Sequence, residues 1–207
     1  MLIETYVVIK EQRATFERHF RHSGSKNTKE FYYETRSARF WSPAKRAAQF
    51  VHVNRVCRSG IYRESLRGEF NVPVGSESKA MLDTDDFRGG GADRLKNVEL
   101  LHQDFEAAIE GAVEDFVDPP YTTKHNINGF VTYNQNIFSW EDQVRLAASV
   151  KRAVSRGATV MISHSDHADV RDLYSDFLSL HSVGRSNVIA SKSAHRGTIT
   201  EMVATNV

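Results

Sequence analysis

Glu114-Asp115-Phe116-Val117-Asp118-Pro119-Pro120-Tyr121 reads as a strand that enters at Glu114 and stops at Pro119-Pro120, because proline has no N–H to give to a sheet ladder. The residues at its tip suit chemistry on a planar amine. The Asp118 carboxylate can accept one N–H of an exocyclic amino group and the Pro119 carbonyl the other, which leaves the nitrogen lone pair aimed at an electrophile. The two prolines, Pro119 and Pro120, stiffen the loop and fix the spacing of the acceptors. Tyr121 adds a ring on which a base drawn out of its stack can rest. The same four letters also describe a strand-ending Asp-Pro turn with a buried tyrosine, so the tetrapeptide alone leaves both readings open.

The flanking sequence alternates between strand and helix patterns. Downstream, Glu141 to Arg156 is amphipathic, with Leu146, Ala147, Val150, Ala153 and Val154 on one stripe, and Gly157 ends it. Ala158 to Ser163 reads as a buried strand, Ala168 to Leu178 as a helix, and His181 to Ile189 and Thr198 to Thr205 as two further strands. This order predicts an α/β fold with a largely parallel sheet. Upstream, Asn97 to His102 is a short strand candidate, followed by Asp104-Phe105 and a small helix. The polar tract from Thr122 to Asn136 carries no periodic pattern.

The first half is helical, then loop-rich. Leu2 to Lys10 is a short apolar start, with a helix following through Ala14 to Phe20. Ser42-Pro43 is an N-cap with proline at the first helical position. The helix behind it, Ala44 to about Val56, sets Ala47, Ala48 and Val51 on one face. Arg58 to Gly75 contains Gly60, Gly68, Pro73 and Gly75 and reads as a loop or β-ribbon. Ser76 to Arg94 is polar and includes a Gly89-Gly90-Gly91 turn.

Composition narrows the function classes. With 207 residues and a net charge of +1, the chain lacks the global basicity of a purely electrostatic DNA binder. It does carry a local basic cluster: Arg39, Lys45, Arg46, Arg55, Arg58 and Arg63 lie between Arg36 and Arg67. Cys57 is the only cysteine, which excludes an internal disulfide and a cysteine zinc cluster and fits a reducing, cytoplasmic setting. No apolar run reaches membrane-spanning length, so no membrane partner is expected.

Around the tetrapeptide the chain resembles the DNA adenine methylase family, enzymes that move a methyl group from S-adenosylmethionine to adenine in DNA. The matching segments include FYYETR (Phe31 to Arg36), SPAKRAAQFVHVNR (Ser42 to Arg55), RGEFNVPVG (Arg67 to Gly75), Asp104-Phe105, DFVDPPY (Asp115 to Tyr121), FSWEDQVRLA (Phe138 to Ala147), GATVMISHSD (Gly157 to Asp166) and RSNVIASKSAHRG (Arg185 to Gly197). The resemblance as a whole runs nearly end to end, from Leu2 to Asn206, and these segments follow in family order. The resemblance implies that Asp118 and Pro119 orient the adenine amine and that Tyr121 stacks on the extruded base. It implies that Asp104 and Phe105 line the adenine end of the donor, S-adenosylmethionine, with Asp118 bordering both donor and target. It assigns Arg55 to Gly75 to target recognition in double-stranded DNA. There Arg63 is the candidate for a bidentate guanine contact, Arg55 and Arg67 for phosphates or structural ion pairs, and Asn71 and Pro73 for the segment that meets the base edges. No metal is implied, and His164, Asp166 and His167 fall in a strand-to-helix loop.

The chain departs from the family pattern at Arg58-Ser59, where an aromatic and an asparagine are usual, and at Ser65, where asparagine is common. The family's F-x-G-x-G donor loop and the acid after its second strand find no match ahead of Met1. Phe87 to Ala92 looks similar by letter, but the acidic stretch from Asp83 to Asp86 before it favours a surface turn. The implied fold is therefore a partial class I methyltransferase (Rossmann-like) sheet missing its first two strands, with an inserted helical and β-ribbon DNA-recognition subdomain. Residues 1–94 are expected to be mostly that subdomain and residues 95–207 the catalytic core. The expected function is adenine-N6 methylation of duplex DNA, in a restriction–modification, phage or housekeeping role. The expected alternatives are a non-catalytic DNA-binding remnant, or half of a split enzyme completed by a complementing N-terminal polypeptide.

Overall fold

A computed structural model describes all residues except 25, 27, 66, 76–91, 123, 125–137 and 187–197. The described chain divides into two compact units, one up to His102 and the other from Gln103 onward.

The first unit is built from helices. α1 (Leu2–Glu11) and α2 (Arg13–Gly24) precede α3 (Lys29–Ser37) and α4 (Pro43–Val56). The apolar start is thus a helix in its own right, because Thr5, Val8 and Ile9 recur at helical spacing and are buried together. Ser42 caps α4 by accepting from the Lys45 N–H, with Pro43 in the first turn. One face of α4 buries Ala44, Ala47 and Ala48 against Phe16 and Phe20, whose rings stack at 5.6 Å. The small alanines let the helices approach closely. Val53 and Val56 enter a second cluster with Tyr32 and Val72.

Beyond α4 a 3-10 turn covers Arg58–Gly60, and antiparallel bridges join Cys57 to Val74 and Glu64 to Phe70, giving a ribbon without a regular ladder. Ser59 and Gly60 both adopt positive φ, 61° and 63°. α5 (Ala92–Leu95) is a single turn, and the surface turn expected at Phe87 to Gly91 lies outside the described residues. The strand expected at Asn97 to His102 does not form. A strand needs a neighbouring ladder. Here the Val98 carbonyl instead accepts from the Lys10 ammonium, and Val98 and Leu101 are exposed.

The second unit carries the sheet. α6 (Phe105–Glu110), β1 (Glu114–Val117), α7 (Trp140–Ser155), β2 (Thr159–Ser165), α8 (Ala168–Tyr174), β3 (Ser179–Ser186) and β4 (Thr198–Thr205) follow in order. The four described strands are arranged β1-β2-β4-β3. The β1–β2 pair is parallel, while β4 runs antiparallel to both β2 and β3. The expected largely parallel sheet is therefore a mixed one. The β3–β4 connection spans only residues 187–197, and a parallel return needs a crossover of about a dozen residues or more, normally carrying a helix.

α7 starts in a capping box between Ser139 and Asp142, which satisfies two otherwise orphaned N–H groups. It lays Leu146, Ala147, Val150 and Ala153 on Val160 and Ile162 of β2 and Met202 and Ala204 of β4. Along β2 exposed and buried residues alternate, so Val160, Ile162 and His164 share the covered face. No described helix is long and apolar enough to cross a membrane.

Candidate active site

The β1–β2 register builds the site. Val117 lies opposite Ile162, so the residues that follow Val117 run beside Ser163 and His164. Asp118 is exposed, Pro119 is buried, and Pro120 and Tyr121 face outward. The Ser163 hydroxyl donates to Asp118 Oδ1 at 2.7 Å. Among the described residues nothing engages Asp118 Oδ2, so one carboxylate oxygen is fixed and the other stays open.

The Tyr121 ring stacks on His164, with centroids 4.9 Å apart and planes within 21°. Tyr121 is 40% exposed while His164 is fully buried, so the histidine covers one face of the tyrosine and leaves ring surface open. Burial pushes the Tyr121 phenol up and the His164 imidazole down to about 4; both rings are uncharged at neutral pH. Gln143, also fully buried, reaches the same corner from α7. Its amide nitrogen donates to the Pro120 carbonyl at 2.8 Å and lies 2.7 Å from His164 Nε2.

Asp104 and Phe105 sit at the start of α6, where Asp104 is the N-cap and accepts from the Glu106 N–H. Arg145 of α7 grips the Asp104 carboxylate with both terminal nitrogens, at 2.9 and 3.1 Å. Its guanidinium also lies 4.2 Å over the Phe105 ring. The Glu106 backbone N–H, with Arg145 behind it, holds Asp104 below the usual carboxylate range. Arg145 bonds Glu106 and Asp142 as well, and these three carboxylates push its own ionisation upward. Phe105 also meets Phe138 at 5.8 Å, and the Phe138 carbonyl accepts from Thr122 at 2.8 Å. That chain of contacts ties the Asp104-Phe105 step to the segment just after Tyr121.

In the first unit, Arg63 donates to Asn71 Oδ1 at 2.7 Å, and the Asn71 N–H returns to the Arg63 carbonyl at 3.1 Å. Arg63 and Pro73 line a cavity of 310 Å³ with Arg58, Ser59, Ile61 and Val72. Arg67 is exposed, and Arg55 is half-buried with its guanidinium 5.9 Å over the Phe20 ring.

The match with known proteins decides the family. Residues 1–189 fit the model of the D12 class N6 adenine-specific DNA methyltransferases. The chain belongs to this family. Similar proteins include the type II methyltransferase M1.LlaDCHI of Lactococcus lactis subsp. cremoris, 34% identical over 191 residues, which cover 87% of this chain and 67% of that protein. The type II methyltransferase M.MjaIII of Methanocaldococcus jannaschii is 36% identical over 149 residues, 68% of this chain and 52% of that protein. The DNA adenine methylase of Escherichia coli strain K12 is 31% identical over 183 residues, 86% of this chain and 65% of that protein. The chain thus spans between about half and two thirds of the length of these relatives.

Two residues of the corner escape the sequence reading. His164 lies inside β2 rather than in the strand-to-helix loop. The signal was available: in Thr159-Val-Met-Ile-Ser-His-Ser165 the alternation runs on past Ser163 and puts His164 in phase with Val160 and Ile162. Gln143 carried a fainter one, as a polar residue three positions before Leu146 on the buried stripe of α7.

Proposed function

We propose that this chain carries the target-base pocket and DNA-reading segment of an adenine-N6 DNA methyltransferase that uses S-adenosylmethionine. The observation that carries the proposal is the Asp118–Tyr121 corner: an exposed carboxylate with one oxygen held by Ser163 and one open, beside a tyrosine with a covered face and an accessible one. In this reading adenine leaves the duplex at a cost of a few kcal/mol, repaid by stacking and by hydrogen bonds in the pocket. Asp118 Oδ2 and the Pro119 carbonyl accept the two amine hydrogens, and the open face of Tyr121 supports the ring. Catalysis is mainly positioning.

The Asp104-Phe105 step fits the adenosine end of the donor, since a half-buried aromatic ring lies beside an exposed carboxylate with spare lone pairs even after Arg145 is engaged. When bound, S-adenosylmethionine supplies an electrophilic methyl group. Arg145 keeps the Asp104 carboxylate ionised and oriented, and Phe138 and Arg145 fix the Phe105 ring. β1 stands at one end of the described strand order and its Phe116 is exposed on a face of the sheet, which fits the addition of further strands of a class I methyltransferase sheet, supplied by a complementing polypeptide in the split-enzyme case.

We assign DNA reading to residues 1–94 and the catalytic core to residues 95–207. In the former, Arg63 is set by Asn71 at the cavity that Pro73 also lines, as a bidentate guanine contact requires. Arg55 and Arg67 contribute phosphate contacts. The test is transfer of tritiated methyl from S-adenosylmethionine to unmethylated genomic DNA, with digestion to nucleosides. N6-methyladenine that is lost in Asp118→Ala supports the reading. Salt-sensitive DNA binding without any methyl transfer, both for the chain alone and with a polypeptide supplying the family's donor-loop strands, refutes it.

A further inference from the structure

The Asp118–Tyr121 corner does not hold its shape alone. Pro119 and Pro120 cannot donate backbone hydrogen bonds, so the loop needs partners from elsewhere. Gln143 and His164, both fully buried, supply them from α7 and β2. The Gln143 amide has two N–H groups. Pro120 O at 2.8 Å takes one and His164 Nε2 at 2.7 Å the other.

That assignment makes Nε2 the unprotonated ring nitrogen and leaves the proton on Nδ1, 2.9 Å from Ser165 Oγ. The Ser165 N–H donates to Nδ1 at 2.8 Å, which requires that nitrogen unprotonated and so opposes this tautomer. Turning the amide over would instead set two carbonyl oxygens 2.8 Å apart and leave an NH2 group buried where Oε1 now finds no partner. A neutral His164, as its burial demands, is the form that can accept from Gln143.

We infer that Gln143 and His164 are positioning residues for base capture: the Gln143 amide pins the Pro120 carbonyl, and the His164 ring backs Tyr121 so that its opposite face is presented to the unstacked purine. The inference rests on the proposed adenine reading of the corner. It adds a three-layer stack of base, Tyr121 and His164. Neither Gln143 nor His164 touches the reacting atoms; each acts through the loop. Removing either lets the Tyr121 ring and the Pro119 carbonyl move, and a displacement of about 1 Å at a reacting centre costs on the order of 100-fold in rate.

The experiment compares the full chain as wild type, His164→Ala, His164→Phe and Gln143→Met for kcat and KM in the tritiated-methyl assay. Ring signals of 13C-labelled tyrosine are read by NMR, with Tyr121 assigned from Tyr121→Phe. His164→Ala is expected to lower kcat about 10- to 100-fold with little change in KM for DNA and with loss of the ring-current shift on Tyr121. His164→Phe, which keeps a flat ring, restores both in large part. Gln143→Met lowers kcat with the stack partly retained. If His164→Ala does not fold, the contrast between His164→Phe and Gln143→Met decides. An unchanged kcat in Gln143→Met, or a His164→Phe no better than His164→Ala, overturns the inference while leaving the adenine reading intact. A wild-type chain that transfers no methyl group, alone or with a polypeptide supplying the family's donor-loop strands, overturns the adenine reading, and the inference falls with it.

Discussion

Ser163 is the most direct handle on the corner, because its hydroxyl holds one oxygen of the Asp118 carboxylate. Its hydroxyl donates to Asp118 Oδ1 at 2.7 Å and sets the torsion that aims Oδ2 outward. A hydrogen bond to a charged group is worth about 1.5–3 kcal/mol when shielded. Asp118 is exposed and Ser163 half-exposed, so water replaces much of it, and about 1 kcal/mol is the reasonable remainder. At 1.36 kcal/mol per decade that amounts to about a five-fold fall in kcat for Ser163→Ala. Asp118→Ala removes an acceptor needed in the transition state and is expected to cost about 100-fold or more. The double variant should match Asp118→Ala within error, because with the carboxylate gone the serine has nothing to orient. Single-turnover transfer of tritiated methyl measures all four corners of the cycle. Ser163 also neighbours the Tyr121 phenol, so the cycle is repeated in Tyr121→Phe, where the five-fold effect should persist. A Ser163→Ala that loses five-fold in the Asp118→Ala background as well would refute the argument, since the serine would then act independently of the carboxylate.

Acidification should destabilise the second unit through His164. Its folded pKa, about 4, lies below the ordinary 6.5, so between those values the unfolded chain binds the extra proton and stability falls as pH falls. Above pH 6.5 the contribution is flat. Denaturant melts at pH 7 and pH 4.5 should differ less in His164→Phe than in wild type; equal differences would mean that the histidine titrates normally. His52, buried in the first unit and also pushed down by burial, acts with the same sign in both proteins and cancels in the comparison. Gly157 ends α7 at φ 91° with nothing within 4 Å of an added Cβ, so Gly157→Ala should cost only the backbone strain of about 1–2 kcal/mol in unfolding free energy. Gly75→Ala would place Cβ 3.1 Å from the Val56 and Cys57 carbonyl oxygens, and because backbone cannot rotate aside, about 1–3 kcal/mol is expected. In the DNA-reading segment, Arg63→Ala should relax base discrimination by about 1–3 kcal/mol, whereas Arg67→Ala should reduce the salt slope of binding by about one and leave sequence preference unchanged. Competition binding over a randomised duplex pool at several salt concentrations separates the two, and identical behaviour of the two variants would contradict the division of roles.

What the sequence disclosed and what it hid divide along a physical line. Local patterns were readable because their causes are local. Ser42-Pro43 starts α4, Gly157 follows α7, and the prolines terminate β1, each for reasons confined to a few residues. Features set by a partner far along the chain were not readable in the same way. Asn97 to His102 has strand composition, yet among the described residues no ladder meets it and it stays irregular. The reversal of β4 depends on the short return from β3, which individual strand patterns do not encode. The corner shows both sides at once. Asp118-Pro119-Pro120-Tyr121 is legible as a strand tip with a carboxylate, because its prolines end the ladder locally, and the matches around it direct that tip to the adenine reading. Its supports are not legible in this way: Gln143 and His164 are 23 and 21 residues apart from their partners Pro120 and Gln143 in sequence. Each taken alone is a polar residue on an apolar face. Burial without a partner would make both costly, so on such faces a polar residue implies an unseen partner, and the partner is where the function should be sought. For Gln143 and His164 that partner is the Asp118–Tyr121 corner itself, which is why these two buried polar residues are the ones proposed to aim the base.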